Sequence, residues 1–315
     1  GYSSEYNISI KSGNVVHKYL DREKYNPYRI VISKDKWYYL DELEQEHPIE
    51  RSDFSVEIHG KKIQFDCVFN AIHGTPGEDG LMQAYFELLG IPQTSCNHYE
   101  AALTFNKRDL LSALKPYNVP CATSYFLNKG QSIDEDSIVD KVGLPCFVKA
   151  NRAGSSYGVS KVYDRATLAD AIESAFKEDS QIIIESFLDG TEVSVGVITF
   201  NNEVTVLPAT EIISENDFFD FEAKYSGLSD EITPARISDL ETGKVQKITK
   251  EVYQKMGLKG IVRIDYIIMK GIPYLIEINT IPGLSVESII PKQAKEAGYK
   301  LSELFELTIE NTINK

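Results

Sequence analysis

The chain has no hydrophobic run near the roughly 20 residues that a membrane-spanning helix needs. Residues 1–10 show no basic patch followed by an apolar core, so they do not read as a signal peptide. Cysteine is sparse. Cys67, Cys96, Cys121 and Cys146 form no C-x-x-C and no Cys/His cluster, which argues against zinc. Cys67 and Cys146 lie in apolar runs and read as buried thiols suited to a reducing cytoplasm. Positive charge is also short. Lys and Arg total 33 against 47 Asp and Glu, a formal net charge of −14. Such a surface repels nucleic acid and anionic lipid, so any phosphate site must be locally basic. The G-K-[ST] ending of a Walker loop is missing, as is G-x-G-x-x-G. No internal repeat or low-complexity tract appears.

What is present fits a globular protein of two or three domains, with 315 residues and 42% apolar content. Residues 28–32 and 65–72 read as strands, the second ending at His73-Gly74. Residues 81–89 read as a helix stopped by Gly90 and Pro92. Helices are expected at 106–114, 165–176, 240–256 and 300–311. Strands are expected at 124–127, 146–150, 159–162, 181–185, 193–200, 204–213, 261–269 and 273–278. The opening Gly1-Tyr2-Ser3-Ser4 reads as a loop entering a helix at 8–19. An α/β domain feeds such a helix from a strand, so a few residues are expected upstream. Boundaries fall near 105 and 189, dividing the chain into 1–105, 106–189 and 190–315.

Five segments carry chemistry. Arg263-Ile264-Asp265 and Glu277-Ile278-Asn279 lie on neighbouring strand readings joined at Lys270-Gly271-Ile272. Alternation puts Arg263 with Asp265, and Glu277 with Asn279, on one face. A hairpin would gather two carboxylates, an amide oxygen and a guanidinium. Hard oxygen donors suit Mg²⁺ completed by phosphates; a salt-bridged face with Arg263 paired to a carboxylate is the other reading. The run Lys149 to Gly158 offers a cation and a small-residue loop to phosphate, or is a plain hairpin turn. Glu185-Ser186-Phe187-Leu188 with Glu192 could hold a purine and ribose, or be a solvated linker.

The fourth segment is His73-Gly74-Thr75-Pro76-Gly77-Glu78-Asp79-Gly80, at a strand-to-helix junction. Its glycines imply close backbone approach. Glu78 and Asp79 would equally suit a helix N-terminus. His73 could orient a substrate carboxylate, or be merely hydrogen-bonded. The fifth, Phe218 to Gly227, interleaves aromatic and charged residues and reads as a loop closing over a site, or as a satellite core cluster.

In this order, and with Gly1 to Glu5, these segments resemble the D-alanine–D-alanine ligases of the ATP-grasp superfamily. The likeness runs over essentially the whole chain. It is most specific at residues 73–80, Gly154-Ser155-Ser156, Glu222-Ala223-Lys224-Tyr225 and the run Glu277 to Gly283. The resemblance implies an α/β and α+β architecture: an N-terminal α/β domain, then central and C-terminal α+β domains with ATP between the latter two. It implies ATP-dependent joining of two D-alanines through an acyl phosphate and a tetrahedral intermediate.

The family's roles then fall on matching positions. Lys107 and Lys149 would hold phosphates, with Ser156 in the phosphate loop. Glu185, Phe187, Leu188 and Glu192 would hold adenine and ribose. Asp265, Glu277 and Asn279 would bind two Mg²⁺ or Mn²⁺ ions. Glu5 would accept the first ammonium and His73 would face the substrate. Arg263 and the Gly283 backbone would stabilise the oxyanion. Ser155, Tyr225 and Ser288 would order the site, and Lys224 would reach the γ-phosphate. A cytoplasmic homodimer is also implied.

Several positions depart from the family pattern. Phe219 and Phe221 replace usual tyrosines, Ala153 a common glutamate, and Ser186 a lysine or glutamate. Glu287 stands where a histidine is frequent, next to Ser288 in the second-substrate region, so it bears on specificity. Tyr225 matches dipeptide-forming members and favours an amine as second substrate. Two rivals remain at this level. One is another ATP-grasp ligase, which would not share Glu5, Tyr225 and Ser288. The other is a non-catalytic nucleotide-binding module, against which the intact metal set and both lysines argue.

Overall fold

The structure is a computed structural model, and it describes residues 1–154, 158–200, 203–214 and 229–314. Three sheets organise those residues. Strands β1 (Arg29–Ile32), β2 (Trp37–Leu40), β3 (Glu46–Glu50), β4 (Ser55–Ile58) and β5 (Lys61–Ile63) form an antiparallel meander. Helices α1 (Tyr6–Tyr19) and α2 (Leu81–Leu89) accompany it. Gly90 ends α2 in the left-handed region at φ 68°, with its N–H bonded to the Glu87 carbonyl and that of Ile91 to Phe86. A core of Ile32, Ile49, Phe54, Val56, Met82 and Phe86 fixes this unit.

The meander's strands β2 to β5 escape the sequence reading, because all are three to five residues long and β3 and β5 are rich in charge. Residues 65–72 are not a regular strand. They run beside the chain at 92–94 with one parallel bridge, Val68 to Gln93. Asn70 diverts the ladder: its side chain bonds to the backbones of Ile72 and Gly77, and its own N–H to the Thr94 hydroxyl.

Helices α3 (His98–Phe105) and α4 (Lys107–Leu114) follow, and Asn106 caps α4 by accepting from the Asp109 N–H. A four-stranded sheet, ordered β6-β9-β7-β8, then forms from β6 (Ser124–Asn128), β7 (Cys146–Ala150), β8 (Ser160–Val162) and β9 (Gln181–Ser186). Helices α5 (Glu135–Val142) and α6 (Leu168–Glu178) pack on one face through Ile138, Leu168 and Ile172.

The last sheet is ordered β13-β12-β10-β14-β15, with β11 also on β10. Its members are β10 (Thr191–Phe200), β11 (Glu203–Val206), β12 (Thr210–Ser214), β13 (Ser229–Ile232), β14 (Val262–Met269) and β15 (Ile272–Asn279). The single strand expected at 204–213 is two strands, parted at Leu207-Pro208-Ala209. Proline removes a ladder donor there, and the Leu207 N–H turns to the Gly196 carbonyl. Helix α7 (Asp239–Lys255) starts in a capping box between Ser238 and Glu241. Its Val252 and Tyr253 cover one face of the sheet at Val193, Val195, Ile264 and Tyr266. Helices α8 (Ile289–Glu296) and α9 (Leu301–Ile313) cover the other with α1; Val16, Leu20, Ile290, Leu304 and Phe305 share that core.

Candidate active site

Strands β14 and β15 join through Lys270 and Gly271, at φ 52° and 71°. Two consecutive left-handed residues make the tight turn whose twist matches a hairpin. The register opposes Arg263 to Asn279 and Asp265 to Glu277, so all four side chains share one face, as their spacing requires. A bulge follows between Asp265 and Tyr266. Bulges re-aim side chains and are common beside active sites. On this face Arg263 Nε and Nη2 donate to Asp265 Oδ1 and Oδ2 at 2.9 and 2.8 Å. Asn279 Nδ2 donates to Asp265 Oδ2 at 3.0 Å. Lys107 Nζ stands 3.8 Å from Glu277 Oε2, and Arg263 Nη2 4.0 Å from Glu277 Oε1. The salt-bridged face and the oxygen-rich face are thus the same set of residues.

From the central sheet, Lys149 on β7 donates to Glu185 Oε2 on β9 at 2.8 Å, a diagonal contact that the β7–β9 register permits. Burial works against the Lys149 charge, but the nearby Glu185, Glu277 and Glu192 carboxylates outweigh it and raise its pKa. It is therefore a firmly charged cation. Lys107, at the start of α4, donates to the Ala153 carbonyl at 2.8 Å. Phe187 follows β9, with its ring 6.2 Å from Phe147 and under the Lys161 ammonium at 4.3 Å. Leu188 is half-buried beside it. Glu192 begins the neighbouring strand, opposite Ile267. A cleft between the sheets is lined by Glu78, Lys107, Gly154, Glu277 and Asn279, and also by Thr104, Phe105 and Thr280.

The N-terminal segment closes one end. Glu5 is buried at the start of α1. Its carboxylate lies so near two glycines that an added Cβ would meet it at 2.7 Å on Gly154 and 2.9 Å on Gly74. These glycines therefore mark close approach, as their spacing suggested. His73 is buried, with Nε2 3.0 Å from the Ser12 hydroxyl and its N–H bonded to Ser9 Oγ. Burial, then the charge of Arg263, push its pKa down to about 4. His73 can thus hydrogen-bond to a substrate but brings no positive charge at neutral pH. Glu78 accepts the Gly74 N–H at 2.7 Å. Burial and the Glu5 carboxylate push its pKa well above the usual carboxylate range. At the opposite side, Gly283 faces Ser288, whose hydroxyl a Cβ would meet at 2.9 Å. Ser288 precedes α8 and shares a 2.6 Å hydrogen bond with Ser285.

Ser155, Ser156, Lys224 and Tyr225, with Phe219 and Phe221 and the expected closing loop, lie outside the described residues.

Family models described as D-ala D-ala ligase N-terminus and C-terminus match residues 1–96 and 114–310. The chain belongs to the D-alanine–D-alanine ligase family. A ligase of that name from Flavobacterium johnsoniae is 64% identical over 98% of this chain and 96% of its own length. Another from Christiangramia forsetii is 59% identical over 100% and 97%. Among solved structures, D-alanyl-alanine synthetase A from Vibrio cholerae superposes with a TM-score of 0.90 at 28% identity, covering 100% of this chain and 96% of that one. The D-Ala:D-Ser ligase VanG from Enterococcus faecalis gives 0.86 at 29%, covering 98% and 96%. A Bacillus anthracis D-alanine–D-alanine ligase complexed with ATP gives 0.80 at 28%, covering 100% and 95%.

Within this ligase family, the donor set can be tested for a metal ion by its chemistry. Asp265, Glu277 and Asn279 are hard oxygen donors on one face. Among the described residues, no group of three or more His, Cys, Asp or Glu could hold a metal by itself. Mg²⁺ bound mainly by phosphate and water needs only one or two carboxylates, so the set fits that ion and not a structural cage. Rotating the Asn279 amide would present its oxygen to the same point.

Three contributors escape the sequence reading. Ser194, opposite Asp265 on β10, donates to Asp265 Oδ1 at 2.6 Å. A serine inside the apolar run at 193–200 was a legible signal. Ser12 beside His73 follows only from the packing of α1. Lys161 over Phe187 depends on how far β8 pairs with β7, which spacing does not specify.

Proposed function

We propose that this chain joins two D-alanines into D-alanyl-D-alanine for peptidoglycan precursors, at the expense of ATP. The observation that carries the proposal is the meeting of Lys107, Glu277 and Asn279 around one cleft, with Glu5 against its Gly154 wall and Asp265 paired to Glu277, in a chain of this family. ATP would lie between the central and C-terminal domains, in a division at about 105 and 189. Lys149, Lys107 and Lys224 would neutralise its phosphates, and Ser155 and Ser156 would donate hydrogen bonds to them. Phe187 and Leu188 offer apolar surface to adenine, and Glu185 and Glu192 offer acceptors to adenine and ribose.

Glu5 would take the ammonium of the first D-alanine, with neutral His73 as a hydrogen-bonding neighbour. That substrate's carboxylate oxygen attacks the γ-phosphorus and the bond to ADP breaks, giving D-alanyl phosphate. The amine of the second D-alanine then adds to the carbonyl carbon, loses a proton, and the tetrahedral intermediate expels phosphate. Arg263 and the Gly283 N–H would stabilise its oxyanion, because fixed donors need no reorganisation as charge develops. The two bonds from Arg263 to Asp265 hold the guanidinium plane in place beforehand. Ser288 and Tyr225 would order the second substrate. Asp265, Glu277 and Asn279 would hold two Mg²⁺ or Mn²⁺ ions, which supply charge neutralisation for in-line phosphoryl transfer.

The VanG likeness makes D-serine a second reading for the second substrate, and Glu287 beside Ser288 lies where that choice is made. High identity to curated D-alanine–D-alanine ligases favours D-alanine. Enzyme given ATP, Mg²⁺ and equal D-alanine and D-serine should yield mainly D-alanyl-D-alanine by mass spectrometry; a mixed dipeptide as main product would establish the second reading. A cytoplasmic homodimer completes the proposal. Light scattering should give about twice the 35.4 kDa chain mass, and the monomer mass would reject the dimer.

A further inference from the structure

Beside Asp265, on the same face of the sheet, lies a buried polar relay that the catalytic roles leave unused. Gln293 on α8 is fully buried, with both amide atoms hydrogen-bonded. Its Nε2 donates to the Ser194 carbonyl at 2.8 Å and to the Thr210 hydroxyl at 3.0 Å. Its Oε1 accepts the Gly196 N–H at 2.9 Å. Both backbone groups belong to β10, the strand paired with β14. Gly196 lies opposite Arg263, and Ser194 opposite Asp265. A Cβ on Gly196 would come within 2.5 Å of Gln293 Oε1. The glycine therefore lets α8 lie close against the strand, on the side that carries the site.

The relay then reaches the carboxylate. Ser194, itself buried, donates to Asp265 Oδ1 at 2.6 Å, while Arg263 holds both oxygens and Asn279 holds Oδ2. With donors on both oxygens, the plane of the Asp265 carboxylate is fixed. Such supporting partners typically contribute 10- to 100-fold to metal affinity. The same helix starts at Ser288, so Gln293 ties the second-substrate end of α8 to the strand beside the metal donors.

We propose that Ser194 and Gln293 are positioning residues. Gln293 locks β10 against α8, and Ser194 thereby fixes the Asp265 carboxylate for a divalent cation. The inference rests on the metal role given to Asp265 above.

Binding of Mn²⁺ to the full chain with ADP, followed by loss of the free-ion electron paramagnetic resonance signal, tests it. ADP affinity without metal is the control. Ser194→Ala should weaken Mn²⁺ about 10-fold and leave metal-free ADP affinity unchanged. Ser194→Thr, which keeps the hydroxyl, should recover most of the loss. Gln293→Leu should also weaken Mn²⁺ although it touches no donor. Should that variant fail to fold, the serine pair still decides. Mn²⁺ affinity in Ser194→Ala within twofold of the parent, or Ser194→Thr as weak as Ser194→Ala, overturns the inference alone. A parent chain that binds no Mn²⁺ with ADP overturns the metal role of Asp265 and the inference together.

Discussion

His73 lies buried beside Arg263, and both features hold its imidazole neutral. Its pKa falls from the ordinary 6.5 to about 4, so the unfolded chain binds a proton more readily than the folded one. Stability from this residue is therefore complete above about pH 6.5 and is lost as pH drops toward 4. At 1.36 kcal/mol per unit the loss is about 3 kcal/mol. Urea melts at pH 7 and 4.5 should show it, and His73→Gln should flatten the slope. Glu78 has the opposite sign. Its raised pKa means the fold disfavours the carboxylate, so its cost grows as pH rises above the ordinary carboxylate value. Glu78→Gln keeps an acceptor for the Gly74 N–H. It should be more stable than the parent at pH 8, with the difference shrinking toward pH 4. Neither shift was legible in the sequence, because burial and the neighbouring Arg263 and Glu5 arrive from distant segments. The residue types themselves were legible: histidine and glutamate amid close-packed glycines.

At the scale of elements, the β14–β15 hairpin was the most legible feature. Alternation, the Lys270-Gly271 turn and the pairing of Asp265 with Glu277 all follow from local rules that agree with one another. The bulge at Asp265/Tyr266 was not legible, since an extra residue leaves no local signature in an apolar strand. Residues 65–72 misled for a related reason: β-rich composition describes a strand's surroundings as much as its backbone. Helix α8 was missed because Pro291 interrupts a short apolar segment, although proline is well tolerated in a first turn. Its contact with β10 supports a sharp prediction. Gly196→Ala would press a methyl on Gln293, Ile290 and Leu207 within 2.9 Å. Overpacking of this kind costs about 1–3 kcal/mol. Thermal melts should show the loss, and a Tm equal to the parent's would mean α8 can move away freely.

For the whole molecule, the acidic balance of the chain extends into the cleft, where Lys107 stands among Glu78 and Glu277. Lys107 stands 3.8 Å from Glu277 and Lys149 2.8 Å from Glu185, and the carboxylates around Lys149 keep it charged. The separate cores agree with a fold of several units. One is confined to residues 127–184, while another joins α1 to α9 across nearly the full chain length. Sequence order alone could suggest the first and not the second, because it gives no distances between remote segments. ATP bound as proposed, between the central and C-terminal sheets, should raise the unfolding temperature. At 100 times its dissociation constant the gain is about 2.7 kcal/mol. With Asp265, Glu277 and Asn279 holding the cation as proposed, the shift should require Mg²⁺ and vanish in EDTA.

The most direct test is ADP formation with ATP and Mg²⁺, measured with D-alanine, with L-alanine, and in Asp265→Asn. The expected result is one ADP per D-alanyl-D-alanine, little turnover with L-alanine, and a loss of about 100-fold or more in the variant, because charge neutralisation at the phosphates contributes several kcal/mol. ADP formation that ignores D-alanine, proceeds equally with L-alanine, or survives Asp265→Asn would contradict the account.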